Sequence, residues 1–276
     1  MFKRPQKILK YFLSEKDFKK VYSLAWSVYT TWRDYKDIMH FRMGKFTALV
    51  YGNKEKYLQM DIMNKVKPYT MVGRSGMYVT YDTVLRVEKE KIVGAIVECG
   101  VARGGSSAMM ALASEYYNGK RHYWLFDTFE GLPAPSIKDN YVEPDYESDD
   151  KHAGRVSEGY CLGTIEEVKT LLFSTLKLPS EKFTLVKGLF QDTLSSQKDK
   201  IGDIAILRLD GDWYDSTMCC LENFWDNVVP GGTVIMDDYV SVPSCKEATH
   251  DFLNSRKIDV KIELDERGGA YFIKPI

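Results

Sequence analysis

The sequence predicts an α/β fold whose core is a doubly wound, mostly parallel sheet. Two observations lead to this prediction. Short apolar runs alternate with helical segments from residue 92 onward, and acidic or glycine-rich turns follow the ends of those runs. A chain of 276 residues, 44% of them hydrophobic, is long enough for one such domain with an appendage. We therefore expect an N-terminal helical appendage or lid over residues 1–70 and a main domain over residues 71–276.

The elements of the main domain follow from the positions of the apolar runs. Five runs are predicted to be buried strands: 92–98, 122–126, 183–188, 204–209 and 233–236. Helices are predicted at 106–117, 164–176, 216–225 and 244–255. Thr164 and Glu167 form a capping box that opens the second of these helices. The runs VKIEL and GAYFIK are predicted to form a final antiparallel pair joined by a turn at 265–268.

Composition excludes several classes of partner. The formal net charge is −1, so no global field favours nucleic acid. The sequence lacks a run of about 18 apolar residues, so we expect no integral membrane contact, and its charged start is not expected to be a signal peptide. Five scattered cysteines without CxxC spacing indicate reduced thiols and a cytoplasmic location. Residues 1–70 carry fifteen Lys/Arg against six Asp/Glu, so a basic helix on anionic lipid is an alternative to a packed appendage.

A glycine-rich turn, ECGVARGGS, follows the first predicted strand at residues 98–106. Glycines between a strand and a helix let backbone N–H groups approach a ligand closely. The spacing is not GxGxxG, so a dinucleotide fits poorly. Glu98 lies two residues before Gly100, where a carboxylate suits a ligand that carries an ammonium and a sulfonium. A plain strand-to-helix turn with an accidental acid is the alternative.

Asp127 follows the second predicted strand, in the sequence DTFEGLP. An acid at this position commonly accepts the ribose hydroxyls of an adenosine. NAD and S-adenosylmethionine share that ribose, so Asp127 favours a nucleoside cofactor without choosing between them. Capping of the turn is the alternative role.

Acidic residues also follow two later strands. The run 204–209 leads into Asp210, Gly211 and Asp212, and the run 233–236 leads into Asp237 and Asp238. Neighbouring strands lie about 4.8 Å apart, so these acids should converge, and three carboxylates cannot all stay ionised without a cation. All-oxygen ligands predict a hard ion, Mg²⁺ first, with Ca²⁺ or Mn²⁺ as alternatives. Capping of the following helices is the competing explanation.

Such a metal would activate an alcohol as a nucleophile. By binding two vicinal oxygens of a substrate it would lower the pKa of the hydroxyl and fix its position. Asp212 should point the same way as Asp210 but lie further into the loop, which suits a general base; a loop residue stabilising its own turn is the alternative. Arg208 is expected to face the opposite side of its strand from Asp210 and to have a structural role.

Together these residues resemble the macrocin O-methyltransferase family, whose members methylate deoxysugar hydroxyls on macrolide and aminocoumarin antibiotics. The resemblance covers about residues 70–275. The matching stretches are TMVG (70–73), ECGVARGGS (98–106), DTFEGLP (127–133), GLFQDTL (188–194), LRLDGDWYDST (207–217), PGG (230–232) and DDY (237–239).

The resemblance implies a class I methyltransferase fold, which is Rossmann-like, with S-adenosylmethionine as the methyl donor. It implies Mg²⁺ held by Asp210, Asp237 and Asp238, with Asp212 as general base. It places Glu98 and Ser106 near the methionine end of the donor and Asp127 on the ribose. It also implies a mobile lid that includes residues 134–155. Further donor contacts are expected at Met71, Gly100, Thr128, Gly188, Phe190 and Asp210.

The function expected from these observations is Mg²⁺-dependent O-methylation of a hydroxyl on a sugar or a glycosylated small molecule. A catechol-type or other diol acceptor is the main alternative, because it also chelates a metal through two oxygens. A nicotinamide-dependent oxidoreductase is disfavoured by Glu98 and the acid cluster. A non-catalytic binding domain is disfavoured because every expected acid is present. A homodimer formed through the N-terminal segment is left open.

Overall fold

The computed structural model describes residues 15–139, 158–266 and 268–275. It divides into two compact units, Met1–Lys67 and Pro68–Ile276. Most of the acidic run 139–150 and of the expected lid at 134–155 lies outside the described residues. None of the described helices is both long enough and apolar enough to span a membrane.

The first unit consists of two helices in its described part. Helix α1 (Glu15–Val50) is followed, after a short turn, by α2 (Lys54–Val66). The side chain of Asn53 caps α2 by accepting a hydrogen bond from the backbone N–H of Lys56. Phe41, Met60 and Met63 are fully buried. A helical N-terminal segment was predicted, and these helices confirm it.

The second unit contains a mixed sheet of seven strands in the described residues. The strands are β1 (Ala95–Cys99), β2 (Tyr123–Asp127), β3 (Phe183–Lys187), β4 (Ile204–Leu209), β5 (Val228–Met236), β6 (Glu263–Leu264) and β7 (Ala270–Ile273). Their order across the sheet is β3-β2-β1-β4-β5-β7-β6. The first five strands in this order are parallel, and β7 is antiparallel to both β5 and β6. The predicted doubly wound sheet with a closing antiparallel pair is confirmed.

Helices connect the strands, and four of the six in this unit's described part lie where the sequence predicted them; Arg74–Lys89 and Phe190–Ile201 were not predicted. The six are α3 (Arg74–Lys89), α4 (Gly105–Tyr116), α5 (Ile165–Lys169), α6 (Phe190–Ile201), α7 (Tyr214–Phe224) and α8 (Pro243–Ser255). Helix α5 continues into a π-helical segment, Thr170–Thr175. The predicted capping box is present, because Thr164 and Glu167 each accept a hydrogen bond from the other's backbone N–H.

The apolar core fixes the central strands in place. Every residue of β1 and of β4 is buried, because helices cover both faces of a doubly wound sheet. Their neighbours β2 and β5 are buried over most of their lengths. Since β1, β2, β4 and β5 run parallel, their carboxyl ends meet at one edge of the sheet, where ligands bind in such folds.

Candidate active site

The register of the central strands places their terminal residues in one row. Cys99 of β1 is paired with Phe126 of β2 and with Leu209 of β4. Leu209 is in turn paired with Met236 of β5. The residues that follow this row are Gly100, Asp127, Asp210 and Asp237. The sheet itself therefore brings one glycine and three acids from four strands to the same edge.

Three carboxylates at this edge lie close enough to share one cation. One carboxylate oxygen from each of Asp210, Asp237 and Asp238 lies within 4.8 Å of the other two. Burial and the neighbouring negative charges raise the pKa values of Asp237 and Asp238 well above the usual range of a carboxyl. The structure thus brings together the three residues predicted as metal ligands.

Asp212 lies against the same cluster. It is buried and hydrogen-bonds with Asp238 through the carboxyl side chains. Burial, followed by the charge of Asp210, raises the pKa of Asp212 to about 7. Its backbone has a φ of 58°, which turns the chain sharply between β4 and α7. This turn places the predicted general base beside the predicted ligands.

Arg208 lies at the centre of the acid cluster, and the expectation that it faces away from Asp210 is wrong. Its Nη1 donates to Oε1 of Glu98 at 2.9 Å and to Oδ2 of Asp210 at 2.8 Å. Its Nη2 donates to Oδ1 of Asp237 at 2.7 Å. Residues two apart in a strand point to the same face of the sheet, so Arg208 and Asp210 share a face.

The acidic side chains at this edge suit a divalent metal in both their charge and their chemistry. Arg208 forms ion pairs with three of the five acids at this edge, Glu98, Asp210 and Asp237. One guanidinium cannot balance five carboxylates. Burial, together with the charges of neighbouring acids, raises the pKa values of Glu98, Asp212, Asp237 and Asp238. Carboxylate oxygens are the ligands that Mg²⁺ prefers. The five acids are Glu98, Asp210, Asp212, Asp237 and Asp238.

Gly100 is required by the close approach of β1 and β4. The backbone N–H of Asp210 donates to the carbonyl oxygen of Cys99 at 2.8 Å. Gly100 has a φ of +93°, and a Cβ built there would overlap the carbonyl group of Asp210, lying 2.6 Å from its carbon. A side chain at this position would therefore push the loop after β1 away from the acid cluster.

Asp127 fastens the loop after β1 to the end of β2. Its Oδ2 accepts the N–H groups of Val101 at 2.6 Å and of Ala102 at 3.0 Å. Its Oδ1 accepts the N–H of Phe129 at 2.6 Å. Burial raises the pKa of Asp127, although these backbone hydrogen bonds oppose the rise. Oδ1 also accepts a hydrogen bond from the hydroxyl of Thr128 at 3.3 Å, so the carboxylate caps both loops.

A cleft lies beside this row and is open to solvent, with about 600 Å³ of empty space that includes part of the solvent at its mouth. Of the predicted site residues, its lining includes Met71, Gly100, Asp127, Thr128, Phe190, Asp210 and Asp212. Among the described residues, the lining does not include Glu98, Ser106, Gly188, Asp237 or Asp238.

The predicted site residues outside the lining have other contacts. Glu98 is buried beneath the loop, where it accepts a hydrogen bond from Ser107 and pairs with Arg208. Burial raises the pKa of Glu98 to about 7. The hydroxyl of Ser106 lies 3.4 Å from Oγ1 of Thr70. Gly188 donates its N–H to the carbonyl oxygen of Asp127 at 3.0 Å.

The other wall of the cleft comes from two segments that flank residues 140–157. Leu132 and Pro133 line it on one side and Cys161 on the other. Leu132 donates its N–H to the carbonyl of Tyr160 at 2.8 Å, so the two segments are tied together. Sequence reasoning did not assign Cys161 to the site, and a lone cysteine in a loop carries no signal that could have done so.

The loop before α7 is anchored to the same wall. Nε1 of Trp213 donates to the carbonyl oxygen of Pro133 at 3.0 Å. The backbone N–H of Tyr214 donates to Oδ1 of Asp139 at 2.7 Å. Trp213 is therefore a packed support for the cleft.

The strand order, the antiparallel β7 and the cleft beyond β1, β2 and β4 define a class I, S-adenosylmethionine-dependent methyltransferase. Comparison with known families gives the finer assignment. The family model described as Macrocin-O-methyltransferase (TylF) matches residues 8–274, and the chain belongs to this family. The expected match over about residues 70–275 was too short, because the N-terminal helices lie within the family match as well.

Characterised relatives and solved structures agree with this assignment. The chain is 33% identical over 202 residues to 8-demethyl-8-(2,3-dimethoxy-alpha-L-rhamnosyl)-tetracenomycin-C 4'-O-methyltransferase of Streptomyces olivaceus, covering 72% of this chain and 74% of that protein. It is 32% identical over 207 residues to demethyldecarbamoylnovobiocin O-methyltransferase of Streptomyces niveus, covering 74% and 75%. The structure of the O-methyltransferase NovP superimposes with a TM-score of 0.65 at 28% identity, covering 91% of this chain and 99% of that one.

Proposed function

We propose that this chain transfers the methyl group of S-adenosylmethionine to a hydroxyl of a sugar carried by a small molecule, with Mg²⁺ as the metal. The observation that carries the proposal is the cluster of Asp210, Asp237 and Asp238 at the edge of the cleft. The names of the relatives supply the acceptor class, since one describes a rhamnosyl-bearing tetracenomycin. A related mycinamicin III 3''-O-methyltransferase of Micromonospora griseorubida supports the same kind of reaction.

The donor would lie over the row of strand ends. We assign Asp127 to its ribose, because the Asp127 carboxylate already faces the loop at Val101 and Ala102. Glu98 and Ser106 are assigned to its methionine end, where buried Glu98 would act through the shape of the loop. The remaining donor contacts are assigned to Met71, Gly100, Thr128, Gly188, Phe190 and Asp210.

The acceptor would lie between the donor and the acids. A bound Mg²⁺ supplies positive charge that lowers the pKa of the acceptor hydroxyl. The residues assigned to hold it are Asp210, Asp237 and Asp238. A carboxylate oxygen of Asp212, which lines the cleft, takes the proton of that hydroxyl as general base. The rigid row of strand ends aligns the acceptor oxygen with the methyl group, and this alignment is the main catalytic task of the protein.

Three further assignments accompany the proposal. Residues 1–70 are assigned to a helical appendage or lid and residues 71–276 to the methyltransferase domain. The five free cysteines agree with a cytoplasmic enzyme. A homodimer formed through the N-terminal helices, with no nucleic-acid partner, remains the prediction for its assembly.

The proposal is tested by incubating the protein with S-adenosylmethionine, Mg²⁺ and a panel of nucleotide sugars, glycosides and catechols. We expect methylated sugar products, detected by mass spectrometry, and their loss with EDTA or in Asp210→Asn. Asp226→Asn is the matched control, because Asp226 is a surface acid paired with Arg256 and should keep full activity. Full activity in EDTA would remove the metal from the mechanism. Methylation of catechols alone would replace the sugar acceptor.

A further inference from the structure

We propose that Arg208 is a positioning residue that makes the acid cluster selective for Mg²⁺ over Ca²⁺. This inference rests on the proposed metal site and goes beyond it, because it concerns which cation the cluster accepts. Arg208 is fully buried on β4, between the two neighbouring strands that supply the other acids. It touches one carboxylate from each of the three strands: Glu98 of β1, Asp210 after β4 and Asp237 after β5.

The selectivity follows from which oxygens the guanidinium occupies. Arg208 holds Oδ2 of Asp210 at 2.8 Å and Oδ1 of Asp237 at 2.7 Å. Each carboxylate therefore has one oxygen engaged and the other available to a cation, so each can bind through one atom only. Mg²⁺ requires near-ideal octahedral geometry with single-oxygen ligands, whereas Ca²⁺ takes six to eight oxygens and readily binds carboxylates through both. Because the Arg208 guanidinium prevents Asp210 and Asp237 from binding a cation through both oxygens, it favours Mg²⁺.

Glu98 orients the guanidinium from the other side. Its Oε1 accepts from Nη1 of Arg208 at 2.9 Å, and its second oxygen accepts from the hydroxyl of Ser107. Since Ser107 lies in α4, just after the glycine-rich loop, the position of Arg208 is tied to that loop. The planar fork of arginine has fixed donor directions, which a lysine ammonium cannot reproduce.

The hydrogen bonds of Arg208 indicate that stability alone does not explain the residue. Its Nε is buried and has no hydrogen-bond partner among the described residues, which costs free energy. Arg121, which is also strongly buried, differs in this respect. Arg121 uses Nε, Nη1 and Nη2 together on Glu88 and on the carbonyl oxygens of Val87, Ile92 and Gly94, which ties chain segments before β1.

The test compares Arg208→Lys with Arg121→Lys as the matched control, since both retain the charge of a buried arginine. Mg²⁺ and Ca²⁺ are titrated separately into metal-free full-length protein by isothermal calorimetry. We expect Arg208→Lys to weaken Mg²⁺ binding by about 10- to 100-fold, as changes behind metal ligands do, and Ca²⁺ binding by much less. Arg121→Lys should keep the wild-type preference for Mg²⁺.

The outcomes separate this inference from the metal proposal. Wild-type protein that binds neither ion would overturn the metal site itself. Wild-type protein that binds Mg²⁺, together with an Arg208→Lys variant of unchanged Mg²⁺ preference, would overturn the role of Arg208 alone. If Arg208→Lys does not fold, Glu98→Gln replaces it, since Gln keeps the shape of Glu98 but weakens its hold on the guanidinium. A smaller loss of Mg²⁺ preference in Glu98→Gln supports the inference, and an unchanged preference contradicts it.

Discussion

Replacing Gly100 with alanine should displace both the loop after β1 and the acid cluster that begins at Asp210. The new Cβ would overlap the carbonyl group of Asp210, so the end of β1 must move away from the end of β4. That movement would break the hydrogen bond from the N–H of Asp210 to the carbonyl of Cys99. The loop after β1 and Asp210, one of the three proposed metal ligands, would therefore be displaced together.

The size of the effect follows from three contributions. A residue with a side chain at a φ of +93° is strained by about 1–3 kcal/mol. Forcing an extra carbon into a packed site adds about 1–3 kcal/mol, and the lost hydrogen bond about 0.5–1.5 kcal/mol. We expect Gly100→Ala to lower the free energy of unfolding by about 2.5–7.5 kcal/mol, against a typical total of about 5–15 kcal/mol.

The assay is urea denaturation followed by circular dichroism, combined with calorimetric titration of S-adenosylmethionine. Gly202→Ala is the control, because Gly202 also has a positive φ, +64°, but a Cβ there meets nothing within 4 Å. The control should show backbone strain alone, about 1–3 kcal/mol, with unchanged donor binding. If Gly100→Ala is destabilised no more than Gly202→Ala and still binds the donor, the close approach of β1 and β4 is not a constraint on the site.

Three further predictions concern the acids. Asp212→Asn should lower kcat by about 10²- to 10⁴-fold while leaving Mg²⁺ and donor binding intact, because asparagine tolerates the positive φ but cannot accept the proton. Unchanged kcat would exclude Asp212 as the base. Asp127→Asn should weaken S-adenosylmethionine binding, measured by calorimetry, because an amide nitrogen cannot accept the N–H groups that both oxygens of Asp127 now accept. Wild-type affinity would contradict that role. In EDTA, thermal stability should fall as pH rises from about 4 to about 7. Burial raises the folded-state pKa values of Asp212 and Glu98 to about 7, so the folded state holds protons that the unfolded chain releases. Mg²⁺ should reduce this slope, and equal slopes with and without Mg²⁺ would argue against a metal at the cluster.

The strand ends could be predicted because two sequence features coincide at each of them. An apolar run stops, and an acid or a glycine follows at once, as at Gly100, Asp127, Asp210 and Asp237. In a parallel sheet those ends must share one edge, so topology alone predicts that the acids meet. Four helices were also accessible from the alternating pattern, one of them from the capping box at Thr164, whereas Phe190–Ile201 was not predicted.

The partners of the buried charges could not be predicted in the same way. Glu98 and Arg208 meet because β1 and β4 are neighbouring strands. The order of the strands in the sheet cannot be predicted from the residues within each strand. The orientation of Arg208 was accessible, since two-residue spacing from Asp210 already implies a shared face. The role of Gly100 as a point of backbone contact could not be predicted from the sequence. A glycine that lets a ligand approach the backbone and a glycine that lets another strand approach it have the same sequence pattern.

The chemistry and the choice of acceptor belong to different parts of this chain. Backbone hydrogen bonds within the sheet set the positions of Gly100 and Asp210, so exchanges on the surface leave them where they are. The opposite wall is made by loop segments around Leu132, Cys161 and Trp213, which the sheet does not fix. Under the proposed function, substitutions in those loops should change which acceptor is methylated while the row of strand ends keeps its position.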